Sequence, residues 1–346
     1  MPFEVLVVDD SPLVRAFVRD VIEQESDVHV CAEARDGREA LAALERQSAD
    51  LIILDVEMPG MDGLETLGQL KKRGNTVPVV MLSGLTGQGA ITTLRALDLG
   101  AVDFITKPGP TGELKNIASA LRNVIKDLRL REDQSVAHDV PLSRDHRVRS
   151  PGTIAKCELL VIGASAGGPV AIRTILEQLP STFPAPIVIV QHMPPVYTAA
   201  FARRLDEVCA LNVREGHEGQ RLEAGTAVLA PGGFHTHLQR SGPDIVLALE
   251  AAPARNFASP AIDPTFSDAA RVVGPGVVGL LLTGMGSDGV QGLRAIREAN
   301  GHTLAQDRGS SVVFGMNRRA IEQGLVDRTV SLKNVVEVLS AYFPYP

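Results

Sequence analysis

Five times between residues 4 and 130, an apolar run of strand length gives way to a polar or glycine turn and then to an amphipathic stretch. The runs cover 5–8, 28–31, 51–54, 77–82 and 101–105. Strand and helix in strict alternation leave few options: a parallel sheet wrapped by helices, hence an α/β fold. In such sheets ligands gather at the carboxyl ends of the strands. Asp9, Asp10, Asp55, Ser83 and Lys107 all follow their runs directly, so the spacing assembles them on one edge.

From 131 to 156 the periodicity stops, and Gln, Ser, Asp, His, Arg and two prolines dominate, which reads as an exposed linker. Alternation resumes at 158–162, with further strands expected near 186–190, 226–230, 245–249, 277–282 and 302–306. The section 226–249 reads as antiparallel strands. The expected organisation is therefore an α/β domain over 1–130, a linker over 131–156, and over 157–346 a second α/β domain with a mostly parallel sheet. A length of 346 residues suits two such domains.

Composition narrows the function classes. The second half holds one lysine, Lys333, and most of the acidic excess lies in residues 1–130, with 14 basic against 20 acidic groups. A nucleic-acid reader concentrates Lys and Arg on one element, so nucleic acid is not an expected partner. No run reaches the ~20 apolar residues of a membrane span, so membrane insertion is not expected. Residues 1–10 run straight into a strand without the pattern of a signal peptide, and a cytoplasmic location is expected. Cys31, Cys157 and Cys209 are odd in number and widely spaced, which speaks against a disulfide frame or a zinc site.

At the first set of strand ends, three converging carboxylates repel one another unless a cation sits among them. Mg²⁺ suits oxygen donors: Asp10, Asp55 and the carbonyl of Glu57 would hold it with waters, with Asp9 orienting a water or the metal. One carboxylate is then left to attack phosphorus, and Asp55, at the end of the central strand, is the best candidate. Lys107 would neutralise phosphoryl charge, and Ser83 would hydrogen-bond the group on arrival. Taken singly, each residue has a plainer reading: an aspartate there is usually a helix cap, and a lysine a solvated charge. The Lys107–Pro108 bond is a candidate cis peptide.

In the second domain, residues 161–169 read strand, sharp turn of small residues, helix start, with Ser165 at the turn. The helix start offers free N–H groups to an anion, and the turn fits Gly-x-Ser-x-Gly, by itself a weak pattern. A dinucleotide-binding loop would use similar glycines, but the next strand ends in Gln191-His192 and lacks an acidic ribose ligand. An α/β-hydrolase places its acid before its histidine, whereas the order here is Ser165, His192, Asp288. That order counts against the hydrolase fold and leaves the chemistry open, because triads recur in several chain orders. A lone histidine is more often structural; His192, at a strand end before a rigid Met-Pro-Pro turn, is better placed as a general base. Asp288, in a glycine-rich turn, either caps a helix or orients the histidine. The candidate scheme has Ser165 attacking a carbonyl, His192 moving the proton and Asp288 holding His192, with backbone N–H groups of Ala166 and Met285 stabilising the oxyanion. This hydrolysis needs no cofactor.

Two resemblances carry these readings further. Asp9-Asp10, the stretch 55–63, Ser83 and Thr106-Lys107-Pro108 resemble response-regulator receiver domains, which are flavodoxin-like doubly wound sheets. That resemblance implies that Asp55 takes a phosphoryl group from a histidine kinase and that Phe104 is the switch aromatic. Plain core packing is the other reading of Phe104. Gly-Ala-Ser-x-Gly-Gly-Pro, Gln-His-Met-Pro-Pro, Ala-Pro-Gly-Gly at 230–233, Leu-Thr-Gly-Met-Gly-Ser-Asp-Gly and Ala-Gln-Asp at 305–307 resemble the chemotaxis receptor methylesterase family, CheB. Membership implies hydrolysis of glutamyl methyl esters on methyl-accepting chemoreceptors, with release of methanol, and deamidation of receptor glutamines. It also implies a receiver that covers the serine site until Asp55 is phosphorylated. The chain departs from the commoner wording at Ala166, at Asn317 and in 258–264. The rival function is a phospho-dependent protein that binds receptors or signalling partners with little catalysis.

Overall fold

The computed structural model describes residues 2–25, 27–107, 114–132, 157–254 and 258–345. They fall into two compact units, Met1–Ala137 and His138–Pro346. The expected linker lies outside the described residues apart from its first two positions, which continue a helix, and so does the bond between Lys107 and Pro108.

In the first unit the five apolar runs form β1 (Phe3–Val8), β2 (Val28–Ala34), β3 (Leu51–Asp55), β4 (Val79–Ser83) and β5 (Asp103–Thr106). Between and after them come α1 (Pro12–Ile22), α2 (Gly37–Leu44), α3 (Gly63–Lys72), α4 (Gly87–Leu99) and α5 (Leu114–Glu132). All pairings are parallel in the order β2-β1-β3-β4-β5, the doubly wound order in which ligands sit between the first and third strands. β3 and β4 are buried along their whole length, as strands covered by helices on both faces must be. The plainer reading of strand-end aspartates holds at Asp36 and Asp62, which cap α2 and α3 through backbone N–H groups. Neither Asp9 nor Asp55 serves a helix in this way.

The second unit runs β6 (Leu159–Ala164), α6 (Gly168–Leu176), β7 (Ile187–Gln191), α7 (Pro195–Val208), β8 (Asn212–Glu215), β9 (Thr226–Leu229), β10 (His235–Ser241), β11 (Asp244–Glu250), α8 (Ile262–Val273), β12 (Val277–Leu281), α9 (Val290–Glu298), β13 (His302–Gln306), α10 (Met316–Glu322), β14 (Arg328–Val330) and α11 (Val335–Tyr342). Seven strands form one parallel sheet in the order β14-β13-β12-β6-β7-β9-β8. This corrects the expected antiparallel section. Among the described strands, only β10 and β11 pair antiparallel, as a separate two-stranded ribbon, while 226–229 joins the main sheet between β7 and β8. β6, first in the chain, lies at the centre with β7 on one side and β12 on the other. Connections leave it in both directions, which opens a crevice at its carboxyl end.

Two separate apolar cores support the sheets. One gathers Val5, Val7, Leu51, Ile53, Val80 and Leu82 against α1 and α5; the other gathers Leu159, Val161, Val188, Phe266, Val277 and Leu293. The three cysteines are free thiols, and burial pushes Cys157 and Cys209 up to about 11. No helix among the described residues is long and apolar enough to cross a membrane.

Candidate functional site

The crevice beside β6 receives three side chains from three neighbouring strands. Ser165 follows β6 directly, His192 follows β7, and Asp288 lies in the turn between β12 and α9. Several main-chain bonds fix the serine turn. The Ser165 N–H donates to Thr283 O (3.0 Å), and Ser165 O accepts from the Gly168 N–H (2.8 Å). Gly167 caps α6 at φ +73°, a conformation that favours glycine. The buried Gln191 amide then ties nucleophile to base, because its Nε2 donates to Ser165 O at 2.9 Å and to His192 O at 3.2 Å.

Ser165 Oγ lies 3.1 Å from His192 Nδ1, and His192 Nε2 lies 2.7 Å from Asp288 Oδ2. Asp288 is 1% exposed. Burial opposes its charge, but the hydrogen bond and charge of His192 and the N–H groups of Ile262 and Asp263 outweigh burial and hold the carboxyl at about 2. An anionic Asp288 accepts and cannot donate, so Nε2 carries the imidazole proton and Nδ1 turns its lone pair toward the serine hydroxyl. That is the arrangement of a base poised over a nucleophile. The nitrogens have exchanged the roles they hold in the serine-protease triad, where Nε2 faces the serine.

Beside the serine, Gly284 permits a close approach: a Cβ there would lie 2.7 Å from Ser165 Cβ and 2.2 Å from Met316 Cε. Thr283 Oγ1 donates to Ala166 O (2.9 Å) and accepts from the Val313 N–H (2.9 Å), which locks the two turns together. The N–H groups of Ala166 and Met285 have no hydrogen-bond acceptor among the described residues; Ala166 follows Ser165, and Met285 follows Gly284, which packs against the serine. Free donors beside a nucleophile suit an oxyanion.

Sequence reasoning missed Gln191, Thr283 and Asp263. Asp263 is the second residue of α8 and hydrogen-bonds Asp288; burial, then the charge of Asp288, push its carboxyl up to about 6. The folded protein therefore holds this proton to higher pH than the unfolded chain, where an ordinary carboxyl titrates near 3.8. The stability this contributes is complete below the unfolded value and is lost as pH rises through the folded one. Asp263→Asn, uncharged throughout, should exceed the wild type in Tm by about 2–4 °C near ~pH 8 and show no gain near ~pH 4, as melting curves at the two pH values will read.

In the first unit, Asp9, Asp10 and Asp55 each place a carboxylate oxygen within 4.8 Å of the others, with Asp9 and Asp55 buried and Asp10 exposed. Lys107 Nζ lies 2.7 Å from both Asp9 Oδ2 and Asp55 Oδ2. Burial, helped by the charge of Asp9, raises Asp55 to about 6 against the pull of Lys107. Burial lowers Lys107, but its bonds to Asp55 and Asp9 prevail and raise it. The donor set is hard oxygen gathered around one point, which fits a small divalent cation such as Mg²⁺. Glu57 joins this site through its backbone, where its N–H donates to Asp55 Oδ1 (3.3 Å). Ser83 is buried at the end of β4, 2.6 Å from Thr93 Oγ1, and Ser83 O accepts from the Lys107 N–H (2.7 Å). Phe104 is half-buried on β5.

Comparison with known proteins covers both units. Residues 160–339 match the family model described as CheB methylesterase, and residues 5–119 that of the response regulator receiver domain. The chain is 44% identical over 340 residues to the protein-glutamate methylesterase/protein-glutamine glutaminase of Bordetella bronchiseptica, covering 96% of this chain and 95% of the relative. The relative of the same name from Escherichia coli K12 is 41% identical over 337 residues, 97% of this chain and 96% of that one. Among solved structures, the Thermotoga maritima CheB methylesterase catalytic domain is 37% identical, covers 54% of this chain and 98% of its own, and superimposes with a TM-score of 0.52.

Proposed function

From the premise that the chain belongs to the CheB methylesterase family, we propose that Ser165, His192 and Asp288 carry out its hydrolysis and that Asp55 controls it. The protein is a response regulator with protein-glutamate methylesterase and protein-glutamine glutaminase activity. Its substrates on this reading are methylated glutamates and glutamines of chemoreceptors in the cytoplasm, and its phosphodonor is a histidine kinase. The observation that carries the reading is the unbroken relay from Ser165 Oγ through His192 to Asp288, at 3.1 and 2.7 Å.

The chemistry follows from that geometry. Ser165 Oγ attacks the ester carbon while His192 Nδ1 takes its proton, and the N–H groups of Ala166 and Met285 receive the oxyanion. His192, held as imidazolium by Asp288, returns the proton to the departing methoxide, and methanol leaves an acyl-serine. Water then loses a proton to the same nitrogen and attacks, giving glutamate and free Ser165. With a glutamine side chain, ammonia leaves in place of methanol.

In the receiver, taken as residues 1–130 with the hydrolase over 157–346, Asp9, Asp10, Asp55 and the carbonyl of Glu57 would hold Mg²⁺. The ion would neutralise phosphoryl charge. Asp55 is the phosphoryl acceptor, Lys107 meets the new charge, and Ser83 and Phe104 respond to it.

Methanol release from a methylated receptor cytoplasmic fragment, with Mg²⁺, tests the reading before and after a small-molecule phosphodonor. A rate that rises with phosphorylation is expected. No methanol in either state, despite measured phosphorylation, would overturn it and bring forward a protein that only binds receptors.

A further inference from the structure

Two helices meet behind the catalytic histidine, and neither caps its own start. α8 is preceded by Ala261 and α9 by Gly289, so neither cap position offers a side-chain oxygen. Each leaves first-turn N–H groups to be satisfied from elsewhere. They are satisfied crosswise. Asp288, just ahead of α9, accepts from the N–H groups of Ile262 (2.7 Å) and Asp263 (3.1 Å) at the start of α8. Asp263 Oδ1, on α8, accepts from the Gly292 N–H (2.8 Å) in the first turn of α9. The helices are drawn close at this point, for a Cβ on Gly292 would lie 2.4 Å from Phe266 Cβ.

The crosswise arrangement leaves Asp288 little freedom. Its Oδ2 accepts from His192 Nε2 and the Ile262 N–H, and its Oδ1 from the N–H groups of Asp263 and Gly289 (3.1 Å). Four donors thus converge on one carboxylate. Below about pH 6, where burial lets Asp263 keep its proton, its carboxyl also donates a side-chain hydrogen bond to Asp288. The carboxyl of Asp263 thus touches α9 on one side and the partner of His192 on the other.

We propose that Asp263 is a positioning residue of the hydrolase: it joins the starts of α8 and α9 and, through Asp288, sets the angle at which His192 meets Ser165. This rests on reading Asp288 as the acid of the triad. Displacing a base by an ångström costs a reaction up to ~100-fold in rate while leaving substrate contacts alone, so the loss belongs in kcat rather than KM.

The test measures kcat and KM for methanol release by the full phosphorylated chain carrying Asp263→Asn or Asp263→Ala, in the wild-type and in the Asp288→Asn background, with Tm for each. Asparagine keeps an acceptor for Gly292 and a donor for Asp288 and should stay within about threefold of wild type, whereas alanine should lower kcat about tenfold or more at nearly constant KM. In the Asp288→Asn background the alanine substitution should cost less than about twofold, because the residue it acts through is already altered. Equal factors in both backgrounds, or a fall in Tm with kcat unchanged, would reduce Asp263 to a helix cap and overturn the proposal. If the alanine chain does not fold, Asp263→Ser replaces it with the same readings, and a folded asparagine variant down more than about tenfold also overturns it. Failure of the triad reading shows separately, as turnover that survives Ser165→Ala.

Discussion

Ser165→Ala should lower methanol release from a methylated receptor fragment by at least ~10³-fold while leaving receptor binding and the melting temperature close to wild type. The size of the loss follows from the position of the hydroxyl. It is the one group within reach of the His192 lone pair, at 3.1 Å, and no second nucleophile occupies the strand ends beside it among the described residues. The absence of collateral damage follows from how the turn is held. Ser165 is anchored through its N–H to Thr283 and its carbonyl to Gly168 and Gln191, and alanine keeps all three bonds. The variant would retain the His192–Asp288 pair and the free N–H groups, so substrate should still dock and wait. Titrating the variant against receptor fragment, alongside the methanol assay, separates the two quantities. Turnover near wild type would remove Ser165 from the mechanism; loss of both binding and turnover would point to a disturbed turn.

Asp55→Asn should remove acyl-phosphate formation completely, together with the whole phosphodonor-dependent rise in methanol release. The substitution keeps the shape of the side chain and removes its capacity to attack phosphorus. In the wild type, Asp55 Oδ2 meets Lys107 and its Oδ1 faces the Glu57 N–H, so the group is held at the rim of β3 with little rotational freedom. Basal hydrolysis should persist, since Asp55 and Ser165 belong to different units. Chelating Mg²⁺ should suppress acyl-phosphate formation by the wild type in the same assay. A phosphodonor response that survives in the asparagine variant would mean that another group accepts the phosphoryl, with Asp9 and Asp10 the nearest carboxylates.

What the sequence disclosed, and what it withheld, divides along physical lines. Strands buried on both faces read as unbroken apolar runs, so β1, β3, β4, β6, β7 and β12 stand out, and residues that end them are marked by the abrupt change in polarity. β8, with Asn212, Arg214 and Glu215 among its four residues, carries no such mark, and β14 spans only three residues. The sequence reads β9 as antiparallel with the strands that follow it, whereas it pairs parallel with β7 and β8, which precede it. The triad was accessible because all three members follow strands. Asp263 was not, because its position matters only when two helix starts, separated by a strand, come together. Nor does any spacing reveal which imidazole nitrogen faces the serine; that depends on how the turn after β7 presents the ring.

The central place of β6 also bears on how the enzyme is made. The serine leaves the ribosome first, the histidine soon after, and the aspartate only once two thirds of the catalytic unit and β12 have followed. A nascent chain, or one clipped before β12, therefore carries the proposed nucleophile and base without Asp288. In the proposed scheme hydrolysis needs all three residues, and so waits on the turn beyond β12, on the opposite side of β6 from the histidine's strand.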